Sequence, residues 1–332
     1  MQNLTVVQSS FTLEPTFFHR KEWLSLLQKS YGYQRYDISS DTWTTPLLKV
    51  EGIFGKRLIS TPFSDYGGPI GEVNANELTD LAKDVLERTS CEYLELRVSD
   101  HNLKSALNSL GFCDLAQYAT HLFDAQEGGI EWLWQNSLSK TARRYVRKAQ
   151  KEGIEITEVT TNSEWECAYQ AYFKAVKQLG SPCHSRNFFF ALRELRPLSH
   201  AYLASCNGKN IGTAVFLTGN QSLHLWLIYC LKEYKKLGAI YLLDWVGITL
   251  AHNLGLKYFD FGRTRIGSGV ELYKHHWKGK DKQIYHIALF KKRRSSPDPS
   301  QLKFRMSSIL WRFLPDSVIA RLGPKIIRSI AL

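Results

Sequence analysis

The chain has 332 residues, 44% of them hydrophobic and 13% aromatic, which suits one large or two modest globular domains and excludes a disordered chain. Six scattered cysteines form no C-x-x-C pair, against a zinc ribbon or disulfide framework, and no run of about 18 apolar residues offers a membrane span. Ten Lys or Arg against two Asp from Lys291 to Leu332 supply +8 of the formal +12, leaving +4 for the body, which argues against a general nucleic-acid binder.

In chain order, Lys21 to Gln28 reads as a short helix. Thr45 to Val50 and Arg57 to Thr61 read as strands about the turn Glu51-Gly52, and Ala75 to Arg88 as an amphipathic helix. Tyr93 to Val98 alternates like a strand, Asn102 to Leu110 is a helix stopped by Gly111, and Tyr118 to Leu122 is a further strand. The second half repeats the rhythm. Ile154 to Val159 is a strand, and Ser163 to Leu179 and Asn187 to Leu195 are helices. Ser199 to Cys206 and Ile211 to Gly219 form a hairpin about Asn207-Gly208-Lys209-Asn210. Leu223 to Cys230 (strand), Gly238 to Leu254 (helix), Tyr258 to Phe261 (strand) and Gln283 to Leu289 (strand) complete the body. Ser295-Ser296-Pro297-Asp298-Pro299 is a stiff break. Beyond it, Leu302, Met306, Ile309, Leu310, Phe313 and Leu314 recur at helical spacing, and a second short helix after Pro315 is stopped by Gly323-Pro324. The first twenty residues lack a basic start followed by an apolar core, so a cytoplasmic protein is expected.

Tyr258-Phe259-Asp260-Phe261-Gly262-Arg263-Thr264-Arg265-Ile266-Gly267-Ser268-Gly269 is the most informative stretch, a strand that should break into a glycine- and arginine-rich loop, followed by Tyr273-Lys274-His275-His276-Trp277. It resembles the FDFGRS...GSG...FKxxWG pattern of FemAB-like proteins, transferases with a fold like that of GNAT acetyltransferases. Pro62 to Pro69 resembles that family's glycine-proline turn, Lys140 to Gly153 its basic helix, Leu179 to Pro182 with Phe188 to Phe190 its GTP...FF segment, and Leu237 to Trp245 the helix before the FDFGR strand. Five blocks in order over about residues 60 to 280 make chance similarity a poor explanation. The resemblance implies an α/β (α+β) fold of two tandem GNAT-like domains with mixed sheets, residues 1–135 and 136–290, followed by a basic helical tail, 291–332.

The candidate site follows from these blocks. Asp65, on a turn with Tyr66, Gly67 and Gly68, is a catalytic candidate that would orient or deprotonate an attacking amine or hydroxyl, the turn lining the acceptor cleft as the resemblance implies. Lys140, Arg143, Arg144, Arg147, Lys148 and Lys151 put six cations in twelve positions without a carboxylate, a phosphate clamp for a nucleotide-, lipid- or tRNA-linked substrate or else a solvated basic face. Gly238 falls where GNAT enzymes keep their pyrophosphate loop, but Ile240 replaces the expected glycine or alanine, which counts against acetyl-CoA. Tyr241 and Trp245, on the same helix, are assigned to the substrate with it. Tyr273-Lys274 corresponds to the family's Phe-Lys pair, the aromatic packing on the donor and the ammonium meeting a carbonyl oxyanion. Asp260, Gly262, Arg263, Ser268 and Gly269 complete the substrate set, with Arg263 facing Asp260, Asp244 or a phosphate. His275-His276 and Cys183-His184 lack further ligands at useful spacing, so no metal is expected, and no P-loop or dinucleotide fingerprint supports ATP or NAD.

The expected reaction is acyl or aminoacyl transfer without a bound cofactor, from aminoacyl-tRNA or acyl-CoA. The acceptor is a cell-wall or cell-surface polysaccharide precursor, as a small molecule or a lipid-linked saccharide or peptide. Alternatives are acyl-CoA-dependent N-acetylation of a sugar and a non-catalytic precursor-binding protein of the same fold. The basic, aromatic-containing stretch 302–330 is read either as packed on the body or as a peripheral contact with the inner face of the membrane.

Overall fold

The computed structural model describes residues 10–52, 55–292 and 309–331, and the chain divides into two compact units. The first holds the described residues up to 119, then 282–292 and those from 328; the second holds 120–281 and 309–327. In chain order the elements are β1 (Ser10–Leu13), α1 (Lys21–Tyr31), β2 (Gln34–Arg35), β3 (Ile38–Ser39), β4 (Trp43–Thr45), β5 (Leu48–Gly52), β6 (Gly55–Ile59), β7 (Ile70–Asn74), α2 (Ala75–Thr89), β8 (Tyr93–Val98), α3 (His101–Ser109) and β9 (Cys113–Asp124). There follow α4 (Ile130–Trp132), α5 (Lys140–Lys151), β10 (Ile154–Glu158), α6 (Asn162–Leu179), α7 (Arg186–Ala191), β11 (Ser199–Cys206), β12 (Lys209–Thr218) and β13 (Ser222–Cys230). Then come α8 (Ala239–Asn253), β14 (Tyr258–Arg265), α9 (Gly269–Lys274), β15 (Lys280–Phe290) and a C-terminal helix, Asp316–Ile330.

In the first unit, strands run in the order β2-β5-β6-β8-β15 beside a small sheet β1-β7-β4-β3. β6 and β8 are parallel and are joined through α2, which Asn74 caps by accepting from the N–H groups of Asn76 and Glu77. Leu78, Ala82, Val85 and Leu86 of α2 pack with Leu94, Leu96, Ile287 and Leu289 in the core. All six residues of β8 are buried, polar ones included. Glu95 there bonds Arg97 at 3.1 Å and His286 at 3.2 Å, and both arginines of this region turn to the chain's end. Arg97 donates to Ala331 O at 2.8 Å, and Arg57 to Ser329 O at 2.9 Å and to Ile330 O.

In the second unit the order is β10-β11-β12-β13-β14-β9. Neighbours from β10 to β13 are antiparallel, whereas β13 and β14 are parallel and joined by α8. Thus each unit contains a parallel pair spanned by one helix, the local repeat that the sequence rhythm suggested. α5 buries only Ala142, Val146 and Ala149, a narrow stripe against the core that contains α8. α6 packs on β11, β12 and β13 through an aromatic group in which Trp165, Tyr172, Phe188 and Phe189 are buried.

The structure departs from expectation where distant packing decides. The first unit ends at 119 rather than 135, and the last strand returns to it, because β15 pairs with β8 from Tyr285↔Val98 to Phe290↔Tyr93. The hairpin turn is two residues, Asn207 and Gly208, both at positive φ, so β12 begins at Lys209. β14 does not break at Phe261 but runs to Arg265, and Gly269 opens a helix. Gly323-Pro324 does not stop the last helix. A Cβ on Gly323 would lie 2.8 Å from Cys183 Sγ and 3.0 Å from Cys183 N, so glycine serves close packing there, and Pro324 removes one donor without ending the coil. Arg293, Arg294, the break at 295–299, Leu302 and Met306 lie outside the described residues.

Candidate active site

In the second unit, β13 and β14 pair only at Ser222↔Tyr258, Leu223↔Phe259 and His224↔Asp260, after which β13 runs on to Cys230 and β14 to Arg265. The register of β12 with β13 skips Trp226, a bulge that turns β13 aside. A wedge therefore opens between two adjacent strands, which α8 connects.

The start of α8 is fixed by Gly238, at φ 95° in the left-handed region. A side chain there would meet the Tyr145 carbonyl, with a Cβ 2.3 Å from its oxygen, so α5 and α8 approach backbone to backbone. Lys148 adds a bond from Nζ to Lys236 O at 2.8 Å. Gly238→Ala should lose roughly 2–4 kcal/mol by combining left-handed strain with overpacking. An unchanged melting temperature would remove Gly238 from this role.

Above that contact stands an aromatic wall. Tyr145 and Tyr241 stack at 4.6 Å and 10°, and Tyr273 meets Tyr241 edge-on at 4.7 Å. Trp134 and Trp245 meet at 5.1 Å, and His276 Nδ1 pairs with the Tyr241 hydroxyl at 2.8 Å. Beneath the wall lies Asp244, fully buried in a helix that is otherwise almost wholly apolar. Its Oδ2 accepts from the Tyr273 hydroxyl, and its Oδ1 has no hydrogen-bond partner among the described residues. Burial pushes the Asp244 carboxyl up to about 7, against the opposing pull of the Tyr273 bond and the Lys274 charge. Burial and the neighbouring Asp244 hold the Tyr273 phenol well above its ordinary value, so it stays a donor.

Tyr273 and Lys274 thus take different positions. Lys274 is buried at 6% exposure, and its ammonium donates to Gly262 O at 2.5 Å and Arg263 O at 3.4 Å, pinning the end of β14. Asp260 accepts from Gly262 N at 2.8 Å and from the Thr120 hydroxyl, and it faces His224 Nδ1 at 3.3 Å. Burial would raise Asp260, but His224 and these donors outweigh it and hold the carboxyl below its ordinary value. Arg263 sits half-buried on β14. Ser268 caps α9 by accepting from Glu271 N at 3.3 Å, and Gly269 is the first residue of that helix.

The basic helix divides its cations. Arg143 donates to Trp134 O at 3.1 Å and to Gln135 O, closing the preceding turn, and Lys148 is engaged with α8 as above. Arg144 and Arg147 are exposed and lie over aromatic rings, 5.1 Å above Tyr145 and 5.5 Å above Trp134. These two, with exposed Lys140 and Lys151, remain available to a ligand. Accordingly, Arg143→Ala should destabilise by roughly 1.5–3 kcal/mol, the worth of hydrogen bonds from a charged donor. Arg147→Glu should instead raise donor KM about tenfold with little change in melting temperature. The reverse assignment of the two effects would put the clamp at Arg143 instead.

Asp65, Tyr66, Gly67 and Gly68 belong to the first unit. Gly67 N and Gly68 N both donate to Arg97 O, at 3.1 and 3.0 Å, and Arg97 Nη1 donates to Ser64 O at 2.6 Å, so the turn is bound to the end of β8. Tyr66 is buried there, under Lys282 at 5.4 Å, while Asp65 is half-buried.

Two groupings escaped sequence reasoning. The bond from Tyr273 to Asp244 is one; the sequence offered Asp244, in the apolar run Ala239 to Asn253, only as one of three partners for Arg263. His275 joins His121 and Asp281, which come from distant strands: His121 Nδ1 and His275 Nε2 each lie 2.8 Å from one Asp281 oxygen. Three such groups resemble a cation site. However, His121 Nε2 accepts from Gly279 N at 2.8 Å, which places its proton on Nδ1, facing Asp281. As bonded, the cluster is a hydrogen-bonded clamp on the start of β15.

Comparison with known proteins agrees with this architecture. Residues 136–275 match the acetyltransferase (GNAT) domain family. FemX is 12% identical with a TM-score of 0.60 over 80% of this chain and 90% of its own. L-PGS from Bacillus licheniformis is 10% identical, TM-score 0.56, over 95% and 98%. A tandem GNAT protein from the clavulanic acid biosynthesis pathway is 10% identical, TM-score 0.52, over 79% and 85%. No curated protein sequence matches. Among the described residues, no helix is long and apolar enough to cross a membrane.

Proposed function

With residues 136–275 forming a GNAT-family domain, we propose that the protein is an acyltransferase that moves an activated acyl or aminoacyl group onto an amine or hydroxyl. The observation that carries this reading is Asp244: a fully buried carboxylate with an unpartnered oxygen, poised near neutrality and bonded to a phenol on a partly exposed wall. Such a group is costly to keep unless it handles a proton. Ionised Asp244 accepts the Tyr273 proton as the Tyr273 oxygen takes one from the attacking amine or hydroxyl. The new acyl bond forms, the bond to the donor's sulfur or oxygen breaks, and the proton returns to that leaving atom. Lys274, held against the β14 carbonyls, supplies positive charge beside the developing oxyanion.

The donor side is built for a base and phosphates. Exposed Arg144 and Arg147 over Tyr145 and Trp134 suit an adenosine with nearby phosphates, a feature shared by acyl-CoA and the acceptor end of aminoacyl-tRNA. FemX and L-PGS are similar folds, and the acceptor we favour is a cell-wall or cell-surface precursor, free or lipid-linked. The test offers purified protein each donor in turn with an extract of such precursors and reads product masses. An acceptor gaining the mass of the donor's acyl group supports the reading. No mass gain from either donor, in extracts where a known transferase reacts, sinks it.

A further inference from the structure

We propose that the turn at 309–313, with the basic groove beside it, docks on an anionic lipid surface. Residues 309–313 form one helical turn in which Ile309, Leu310 and Phe313 are 55%, 69% and 83% exposed. Three adjacent large apolar side chains in water are a feature of interaction surfaces rather than of an ordinary solvated helix. The turn is held in place from both sides of Phe313. Arg312 donates to Leu179 O at 3.3 Å, and Asp316 pairs with Lys177 at 2.5 Å. Farther on, Ile319 is fully buried and Gly323 lies against Cys183. The apolar tips therefore stand out from an anchored base.

Charge decides what covers them. Phe313 borders an open groove of about 690 Å³ lined by four cations, Lys177, Lys232, Lys236 and Arg312, and one carboxylate, Glu233, which faces Lys209 at 3.8 Å. Apolar tips beside a cationic rim match the boundary between acyl chains and phosphate headgroups. A nucleic acid would use the cations but gain little from Ile309 and Leu310. A neutral protein partner would use the tips but leave Lys232, Lys236 and Arg312 without counter-charge, Lys177 being paired with Asp316. The surface is narrower than the stretch 302–330 that composition suggested, because Ile319, Gly323 and Ser329 of the last helix are buried. It does not depend on the reaction proposed for Asp244.

The experiment is co-sedimentation of the full chain with vesicles at low salt. The protein should pellet with phosphatidylglycerol–phosphatidylcholine vesicles and stay in solution with phosphatidylcholine alone. Each basic residue near an anionic surface is worth about fivefold in partitioning, so Lys232→Glu should weaken binding by more than that. Leu310→Ser with Phe313→Ser should weaken it at least tenfold, and neither variant should shift the melting temperature. Failure of the intact protein to pellet with anionic vesicles overturns the proposal. So does full binding by the Leu310→Ser/Phe313→Ser protein, or retention of RNA in place of vesicles by the same residues. Acyl transfer measured on soluble acceptors is a separate readout and stands or falls alone.

Discussion

Asp244→Asn should give a protein that is more stable at pH 8 and nearly inactive. The sign follows from the raised carboxyl. With a folded value of about 7 against 3.8 for the free group, the folded state binds more protons than the unfolded state between those limits. Stability therefore falls as pH rises from about 4 to about 7 and is level above, a loss of up to about 4 kcal/mol. Asparagine keeps an acceptor for Tyr273 and removes the ionisation, although its amide meets no partner where Oδ1 stood. The net gain at pH 8 should be about 2 kcal/mol, or roughly 4–8 °C, and should vanish near pH 4. Transfer should fall about 10²–10³-fold with the general base gone. A lower melting temperature at pH 8 would show that Asp244 is not an ionised buried group, and undiminished transfer would remove it from the chemistry.

The second large effect concerns the other unit. Removing residues 328–332 should destabilise the protein by roughly 3–5 kcal/mol, because two buried arginines lose the carbonyls that satisfy them. Arg97 is 1% exposed and Arg57 6%, and Ser329, Ile330 and Ala331 accept from them. Tyr33 also loses its acceptor, Arg328 O, at 2.6 Å. Arg97→Met should cost less in the truncated chain than in the full one, since part of its bonding is already gone. Thermal melting checks both. A truncated chain that melts with the intact one would show that the terminal segment contributes no stability.

Local patterns revealed the elements whose faces differ along the sequence. α2 and α6 were legible from apolar periodicity, and Asn207-Gly208 from its turn chemistry. What stayed hidden depends on partners far away in the chain. Nothing near Arg97 announces Ala331, and nothing near the last strand announces that it returns to β8. Gly262 and Gly269 suggested one loop, but Lys274 and the Asp260 network hold the chain extended through Arg265 and Ser268 starts a helix. The Tyr273-Lys274 pair was read as one unit, yet successive helical residues point apart: Tyr273 reaches Asp244 while Lys274 reaches the β14 carbonyls. Of the six cations on α5, spacing alone did not show that Arg143 and Lys148 serve the backbone and that Arg144 and Arg147 face outward over rings.

The measurement closest to the central claim is the pH dependence of donor discharge by the intact protein and by Asp244→Asn, each with the same acceptor. The intact protein should lose rate below a limb at about 7, where Asp244 takes up its proton, and the variant should lack that limb while binding donor equally well. The same limb in both proteins, or none in the intact one, would contradict a proton-handling role for the buried Asp244–Tyr273 pair.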